Sequence, residues 1–187
     1  MLPQDPYQLR LSGSGGQGLI TVGVILAEAG LLEGYRVAQT QSYGPEARLG
    51  ASRSEVILSS RPIAYPEVSE PDFLLSISQD AFDKYGSQMP EKSLILVDDF
   101  YVTLSRSESY PQQIYALPII HTAEELGNKL VSNVVALGAL NRLLELVSEA
   151  HLKEAVLRRV PAKYRELNAG ALEAGARLAQ PQAKAVS

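Results

Sequence analysis

Residues 12–30 read SGSGGQGLITVGVILAEAG, a glycine-rich segment that runs directly into an apolar one. Before it, Tyr7 to Leu11 alternates apolar and polar residues, which is typical of a strand. After it, Leu19 to Leu32 is apolar or small with two exceptions, a pattern that favours a buried helix. The order strand, glycine loop, helix predicts an α/β domain, with the loop at the carboxyl end of the first strand and a helix from about Gln17 to Leu32.

The rest of the chain predicts a mostly parallel, doubly wound sheet followed by a helical C-terminal region. Short apolar or β-branched runs that predict strands occupy residues 36–41, 54–59, 72–78, 93–100 and 112–119. Helical patterning covers residues 81–85, 131–150, 152–160 and 163–178, with a break near His151. We therefore expect a single domain over residues 1–179 and a flexible C-terminal tail over residues 180–187.

Small residues in the predicted first helix indicate how closely it packs. Gly23, Ala27 and Gly30 recur at spacings of four and three, so they share one face and would let the helix lie close to the sheet. Gly34 is placed to end the helix, because glycine readily adopts the left-handed conformation that follows many helix C-termini.

Composition excludes several classes of function. The chain has 187 residues, a net charge of -4, two histidines and no cysteine. Lys and Arg form no basic run of the kind that binds nucleic acid, and without cysteine there is no disulfide, catalytic thiolate or cysteine-ligated cluster. The N-terminal residues lack a signal-peptide pattern, and no apolar stretch reaches the roughly 18 residues that span a bilayer. We expect a cytoplasmic protein without membrane contact.

The glycine loop predicts a site for an anion. Its candidate residues are Gly13, Ser14, Gly15, Gly16, Gln17 and Gly18, which match G-x-G-x-x-G with a fourth glycine. Successive backbone N–H groups at a helix N-terminus form a concave nest that favours phosphate. No lysine follows the loop, which excludes a Walker A motif, and residues 37–41 lack the acid that binds the ribose of NAD. In the alternative interpretation, the glycines only allow a tight turn and close packing.

A second loop, YGPEARLG at residues 43–50, is expected near the glycine loop at the carboxyl end of the second strand. Its candidate binding residues are Tyr43, Glu46 and Arg48. Arg48 and Arg53 could face an anion held there. The alternative is a surface ion pair between Arg48 and either Glu46 or Glu55, which would contribute little stability.

Other polar residues give weaker signals. Asp98 and Asp99 end a predicted buried strand, where they could hold Mg²⁺ or transfer protons, although such a pair more often caps a turn. His121 and His151 are isolated in sequence and are interpreted as ordinary surface or boundary residues. Ser12 and Ser14 lack the pattern of a nucleophile elbow. The sequence therefore predicts neither a metal site nor a catalytic triad.

Four separate stretches resemble one family. They are GSGGQGLITVGVILAEAG at residues 13–30, YGPEARLGASRSEVILS at 43–59, NVVALGAL at 133–140 and NAGALEAG at 168–175. In this order they resemble the gamma subunit, or gamma domain, of 2-oxoacid:ferredoxin oxidoreductases. The chain departs from the family pattern after Arg48, where Leu49 stands in place of a glycine.

The resemblance implies a subunit of a complex that decarboxylates a 2-oxoacid, transfers the acyl group to coenzyme A and reduces ferredoxin or a similar acceptor. Thiamine diphosphate and iron–sulfur clusters are implied on the alpha and beta partners, and on a delta partner where one exists. This chain is then expected to bind no cofactor tightly, to be inactive alone and to form a homo-oligomer when isolated. Coenzyme A is implied as a shared ligand.

Three functional hypotheses remain open from the sequence. In the first, the glycine loop and Arg48 hold the phosphates of coenzyme A. In the second, the same loop is docking surface and the subunit is purely structural. In the third and most remote, the chain is a free-standing nucleotide-binding flavoprotein or dehydrogenase.

Overall fold

The computed structural model describes residues 2–42, 51–105 and 110–180. The strands are β1 Tyr7–Ser14, β2 Arg36–Ser42, β3 Ala51–Ser59, β4 Phe73–Ser76, β5 Leu94–Asp98 and β6 Gln113–Leu117. The helices are α1 Leu19–Leu32, α2 Gln79–Tyr85, α3 Ile119–Glu125, α4 Ser132–Leu144, α5 Glu149–Arg159 and α6 Arg165–Leu178. Short 3₁₀ turns lie at Gly86–Gln88, Lys129–Val131 and Ala162–Tyr164.

The six strands form one sheet in the order β2-β3-β1-β4-β5-β6. Strands β1, β4, β5 and β6 are mutually parallel. Strand β3 is antiparallel to both β1 and β2, so β2 runs in the same direction as β1 although β3 separates them. The prediction of a mostly parallel sheet is confirmed.

Helices cover both faces of the sheet, as a doubly wound fold requires, but the two layers differ in size. Helices α1, α3, α4, α5 and α6 contribute to the larger core, which includes Phe73 and Leu75 of β4. Helix α2 covers the opposite face, where Leu74 of the same strand is buried. Alternate residues of β4 are therefore buried on opposite faces of the sheet. This explains why its first three residues are all apolar. No helix of the described residues is long and apolar enough to cross a bilayer.

Helix α1 packs on β3 through the small residues that the sequence singled out. A Cβ atom at Gly23 would collide with the side chain of Ser54, and one at Gly30 would lie 2.6 Å from Cδ2 of Leu58. Gly34 has φ 92° and donates its N–H to the carbonyl of Leu31, which ends the helix as predicted. The helix begins at Leu19 instead of Gln17, because Gly18 has φ 75° and forms its N-cap.

One prediction about the C-terminal helices is wrong, and one earlier helix was not predicted. The break expected near His151 lies earlier: α4 ends at Leu144, where Glu145 adopts a left-handed φ of 51°. Ser148 then caps α5 by accepting the backbone N–H of His151, which places His151 in the first turn of that helix. Helix α3 was not predicted, and its first residue, Ile119, falls in the run 112–119 that predicts a strand.

Candidate functional site

The glycine loop lies at the carboxyl end of β1, as the sequence predicts. Strand β1 continues through Gly13 to Ser14, and the loop then crosses to α1 on one face of the sheet. The neighbouring parallel strand β4 is followed by α2, which packs on the opposite face. The loop therefore lies where successive connections diverge to opposite faces, the position at which open α/β sheets bind ligands.

The fold itself requires glycine at three of the four loop positions. Gly16 and Gly18 have φ values of 90° and 75°, in the left-handed region that favours glycine. A Cβ at Gly13 would collide with the Gln17 side chain and lie 3.0 Å from Cγ1 of Ile77. Gly15 differs, because its φ is not in the left-handed region and a Cβ there would meet nothing within 4 Å. Neither steric contact nor backbone conformation within the chain explains why a glycine stands at position 15.

The Gln17 side chain braces the loop from within. Its Oε1 accepts the backbone N–H of Ser14 at 2.7 Å, and its Nε2 donates to the carbonyl of Ile77 at 3.2 Å. The Gln17 backbone N–H donates to the carbonyl of Ser14 at 3.3 Å. Since the N–H groups of Ser14 and Gln17 are engaged within the chain, those of Gly15, Gly16 and Gly18 are the candidate donors to an anion.

The N-terminus of α1 is suited to negative charge. Gly18 offers no side chain to cap the first turn, and that turn contains no acidic residue. The first N–H groups of a helix lack partners within the helix and carry the positive end of its dipole. The Gly18 carbonyl accepts hydrogen bonds from the N–H of Val22 at 3.1 Å and from Nδ2 of Asn133 at 3.4 Å, which fixes the loop against the start of α4.

Tyr43, Glu46 and Arg48 lie outside the described residues. Their segment is bounded by Ser42, which is opposite Arg53, and by Ala51, which is opposite Ser14. Ser42 and Ala51, the described residues on either side of this segment, lie at the same edge of the sheet as the glycine loop.

Arg53 lies on the face of the sheet that α2 covers. Its Nη1 is 3.9 Å from Oε1 of Glu55, and its side chain is 34% exposed. Glu55 is bound more closely by buried Arg10, whose Nη2 lies 2.8 Å from the same oxygen. The Arg53 guanidinium also lies over the ring of Tyr85, at 5.9 Å from its centroid. Arg53 is therefore held only loosely by Glu55.

Asp98 of the aspartate pair caps a turn. Asp98 is fully buried, and its Oδ1 accepts the backbone N–H groups of Phe100 at 3.2 Å and Tyr101 at 2.9 Å. Its Oδ2 accepts the N–H of Ile120 at 2.8 Å. Burial, followed by the proximity of Asp98, raises the pKa of the Asp99 carboxyl. In the described ranges, no three His, Asp or Glu side chains converge as metal ligands.

Each histidine contacts a carboxylate. His121 lies 3.3 Å from Glu125 on the surface of α3. His151 Nδ1 lies 2.6 Å from Oε2 of Glu33, which also accepts the N–H and hydroxyl of Ser148 at 3.0 Å each. These bonds, led by the Ser148 N–H, lower the pKa of Glu33. His151 is a half-exposed boundary residue, as the sequence predicts, and it pairs with Glu33 because the fold brings the end of α1 against the start of α5.

A cavity of about 870 Å³ lies away from the loop, between α4, α5 and α6. Glu33, just beyond the C-terminus of α1, is part of its lining, whereas the loop precedes the N-terminus of this 14-residue helix. A helix of that length separates them by about 21 Å. Charged groups at the cavity pair with one another, as Lys153 does with Glu173 at 3.1 Å. The cavity is separate from the site at the glycine loop.

Sequence reasoning missed an aromatic patch at the carboxyl edge of the sheet, formed by Phe100, Tyr101, Lys129 and Leu130. Phe100 is 76% exposed and Leu130 is 79% exposed. Lys129 Nζ donates to the hydroxyl of Tyr101 at 2.6 Å and lies 4.8 Å from the centroid of its ring. The signal available in the sequence was the pair Phe100-Tyr101 directly after the buried strand β5.

Comparison with known proteins decides the family. The model of the family described as pyruvate ferredoxin/flavodoxin oxidoreductase matches residues 8–178. The chain belongs to this family. It is 43% identical over 175 residues to the 2-oxoglutarate synthase subunit KorC of Methanocaldococcus jannaschii, covering 92% of this chain and 94% of that protein.

Solved structures place the chain among gamma subunits. It matches the gamma subunit of a keto/oxoacid ferredoxin oxidoreductase from Geobacter sulfurreducens with TM-score 0.85 and 43% identity, covering 94% of this chain and 97% of that one. It also shares its fold with 2-oxoglutarate:ferredoxin oxidoreductase from Magnetococcus marinus, with TM-score 0.86 and 24% identity. That match covers 97% of this chain and 32% of the other. The resemblance drawn from the four sequence stretches is confirmed.

Proposed function

We propose that this gamma subunit holds the phosphates of coenzyme A for a 2-oxoacid:ferredoxin oxidoreductase complex. The observation that carries the proposal is Gly15, the one glycine of the loop that neither backbone conformation nor packing requires. A ligand that approaches the backbone closely would account for a glycine there. Three candidate N–H donors and an uncapped helix N-terminus surround this position.

Chemistry in the complex is then divided between subunits. A chain without cysteine cannot ligate iron–sulfur clusters, so electron transfer requires partner subunits, as does thiamine-dependent decarboxylation. The alpha and beta subunits, with delta where present, supply those cofactors. The gamma subunit orients coenzyme A so that its thiol can accept the acyl group. The Magnetococcus protein, whose structure contains coenzyme A and succinyl-CoA, supports this assignment.

We propose 2-oxoglutarate as the oxoacid. The relatives named 2-oxoglutarate synthase subunits are 37% to 43% identical to this chain, whereas the ketoisovalerate oxidoreductase subunits are 28% and 29% identical. The pocket that selects the oxoacid would belong to the partner subunits.

A purely structural role is the second candidate. The observation that favours it is the bracing by Gln17, which uses two of the loop N–H groups within the chain. In that case the loop would pack against a partner subunit, and changes to it would weaken assembly.

Arg48→Ala distinguishes the two candidates. If the guanidinium contacts a coenzyme A phosphate, the change removes one charge-assisted hydrogen bond worth about 1.5 to 3 kcal/mol. We expect the KM for coenzyme A of the reconstituted complex to rise roughly 10- to 100-fold while the KM for the oxoacid stays unchanged. Arg36→Ala is the matched control, because Arg36 is exposed at the opposite end of β2. Weakened assembly on size-exclusion chromatography, with unaltered coenzyme A affinity, would support the structural role instead.

The isolated chain should turn over no 2-oxoacid. We expect no reduction of an electron acceptor when the purified subunit is mixed with 2-oxoglutarate and coenzyme A, because it lacks cysteine to ligate a cluster. Activity should appear when alpha and beta partners are added. Turnover by the subunit alone, measured with a dye acceptor under anaerobic conditions, would refute the proposed division of chemistry.

A further inference from the structure

Helix α1 is apolar on almost every side, yet one flank of it is not covered within the described residues. Its only charged residue is Glu28. Leu26, on one flank, is fully buried in the core. On the other flank Ile20 and Val24 are half-buried and Leu31 is 60% exposed. A helix that is apolar all round is normally buried, so the exposed flank indicates an interface.

The exposed flank turns towards the edge of the sheet. Gly23 and Gly30 face the sheet, where a Cβ at either position would contact β3. Leu26 marks the flank towards the core, so the opposite flank points towards β2, the edge strand next to β3. Residues at spacings of four, three and four form this α1 stripe: Ile20, Val24, Ala27 and Leu31.

Strand β2 is an unprotected edge of the sheet. No strand of the described residues pairs with its outer side. From Val37 to Ser42 it contains neither a charged residue nor proline, which commonly keep edge strands from pairing with another chain. The outward backbone N–H and C=O groups of β2 can therefore extend the sheet by a further strand.

The sequence of β2, RVAQTQS, is suited to pairing with its own copy. In an antiparallel pair centred on Gln39, Arg36 lies opposite Ser42 of the copy, and Ala38 lies opposite Thr40 of the copy. All seven residues are paired, and no like charges are opposite each other. Such a pair has a two-fold axis through its centre, as an interface between identical surfaces requires.

The two sheet-facing glycines fix how α1 lies along β2. A Cβ at Gly30 would lie 3.2 Å from Cγ2 of Val37. A Cβ at Gly23 would collide with Ser54, which is opposite Gln41 in the pairing of β2 with β3. The centre of β2 is therefore level with the point midway between the two glycines, to within about one helical residue, or about 1.5 Å.

The α1 stripe is symmetric about the same level. Its centre, between Val24 and Ala27, lies one residue from the point midway between the two glycines. The two-fold axis through the centre of β2 would therefore bring Leu31 against Ile20 of the copy and Val24 against Ala27 of the copy. The apolar residues of the stripe would then cover one another.

The distance between the two helices also fits. A Cβ at Gly30 would contact both Val37 of β2 and Leu58 of β3, so α1 lies over the gap between these strands. Neighbouring strands are about 4.8 Å apart, so pairing β2 with its copy would place the two α1 axes about 10 Å apart. This is the distance at which helices pack.

We propose that two copies of this chain associate through β2 and the α1 stripe. The two six-stranded sheets join at β2, and the two α1 helices pack antiparallel across the two-fold axis. The pairing requires neither coenzyme A nor the glycine loop, so it is independent of the proposed function.

Sedimentation equilibrium of the purified subunit measures the dissociation constant of this dimer. Leu31→Glu places a carboxylate at two symmetric points of the apolar contact, and we expect it to raise the constant roughly 100-fold or more. Leu130→Glu is the matched control, because Leu130 is 79% exposed in the short turn before α4, outside the interface. It should leave the dimer unchanged.

Two double variants test the register of β2. Ala38→Lys with Thr40→Lys puts like charges opposite each other at two places, and it should weaken the dimer roughly 3- to 30-fold. Ala38→Glu with Thr40→Lys puts opposite charges at the same places and should dimerise at least as tightly as the wild type. Circular dichroism checks that all variants are folded.

The other outcomes would overturn the proposal. A wild-type subunit that stays monomeric at every concentration does so, as does a dimer that Leu31→Glu leaves intact. Equal weakening by both double variants would contradict the pairing of β2 with its copy. If the wild-type subunit is monomeric and Leu31→Glu blocks assembly with the alpha and beta subunits, the α1 stripe is a docking surface for a partner subunit instead.

Discussion

Gly175→Val is expected to destabilise the chain by about 3 kcal/mol, at the upper end of the range for overpacked cores. Gly175 lies on α6 where that helix crosses α4. A Cβ at this position would collide with the carbonyl oxygen of Val135 and lie 2.8 Å from its carbonyl carbon and 3.0 Å from the N atom of Ala139. These atoms belong to the backbone of a buried helix, so no side-chain rotation can relieve the overlap.

The opposing helix contributes an equivalent glycine. A Cβ at Gly138 of α4 would collide with the Leu172 carbonyl and lie 3.1 Å from the backbone N of Ala176 on α6. Each helix therefore lies against the bare backbone of the other, and a side chain at either position separates them. Separation would open the core around Val135 and Leu172, both of which are buried.

Denaturant unfolding of the purified subunit measures the effect. Gly170→Ala is the control on the same helix, because a Cβ at Gly170 meets nothing within 4 Å. There the gain in helix propensity should raise stability by about 0.4 to 1 kcal/mol. If Gly175→Val unfolds at the same denaturant concentration as the wild type, α4 and α6 do not pack at these glycines.

The first strand, loop and helix could be predicted because each local signal agreed with the tertiary structure. The glycine spacing, the apolar run of α1 and the helix end at Gly34 all depend on residues that lie within about 30 positions of one another in the sequence. The mostly parallel sheet followed from short apolar strands that are buried on both faces, such as β4.

Features that depend on distant residues could not be predicted. Helix α4 ends at Leu144 because Glu145 adopts a left-handed conformation, which the sequence does not signal, since neither glycine nor asparagine stands there. The buried Asp98 carboxylate accepts the N–H of Ile120, 22 positions away, in the first turn of α3. The bond to Asp98 forms only once strand and helix have assembled, whereas the Glu145 N–H is bound locally by the carbonyl of Asn141.

The candidate site was also predicted only in part. The loop and its position at the carboxyl edge were correctly inferred from sequence. The hydrogen bonds of the Gln17 side chain were not predicted, because one of them requires Ile77, which directly follows the neighbouring strand β4, to lie beside the loop. The alternative interpretation of the glycines as packing residues holds for Gly13, whereas Gly15 carries no such explanation.

Gly15→Val is expected to abolish productive binding of coenzyme A while the subunit remains folded. Because a Cβ at Gly15 meets nothing and its φ is not left-handed, the free chain has room for the new side chain. A phosphate on the N–H groups of Gly15, Gly16 and Gly18 would instead contact the valine methyl groups. Loss of two charge-assisted hydrogen bonds, at about 1.5 kcal/mol or more each, corresponds to at least a 100-fold weaker affinity.

The free energy of unfolding and the affinity for coenzyme A are both measured for the Gly15→Val variant. Unfolding curves of Gly15→Val and wild type should coincide within about 0.5 kcal/mol, the usual range for surface changes. Calorimetric titration of coenzyme A into the assembled complex should show the loss. Gly170→Val is the control for introducing a valine. A Cβ at Gly170 also meets nothing within 4 Å, and this position lies on α6, away from the loop. If Gly15→Val binds coenzyme A as tightly as Gly170→Val does, no phosphate approaches the loop at Gly15, and the remaining glycines serve only the turn. If affinity falls while both variants assemble normally, a structural role for the loop is excluded, because packing alone predicts loss of assembly first.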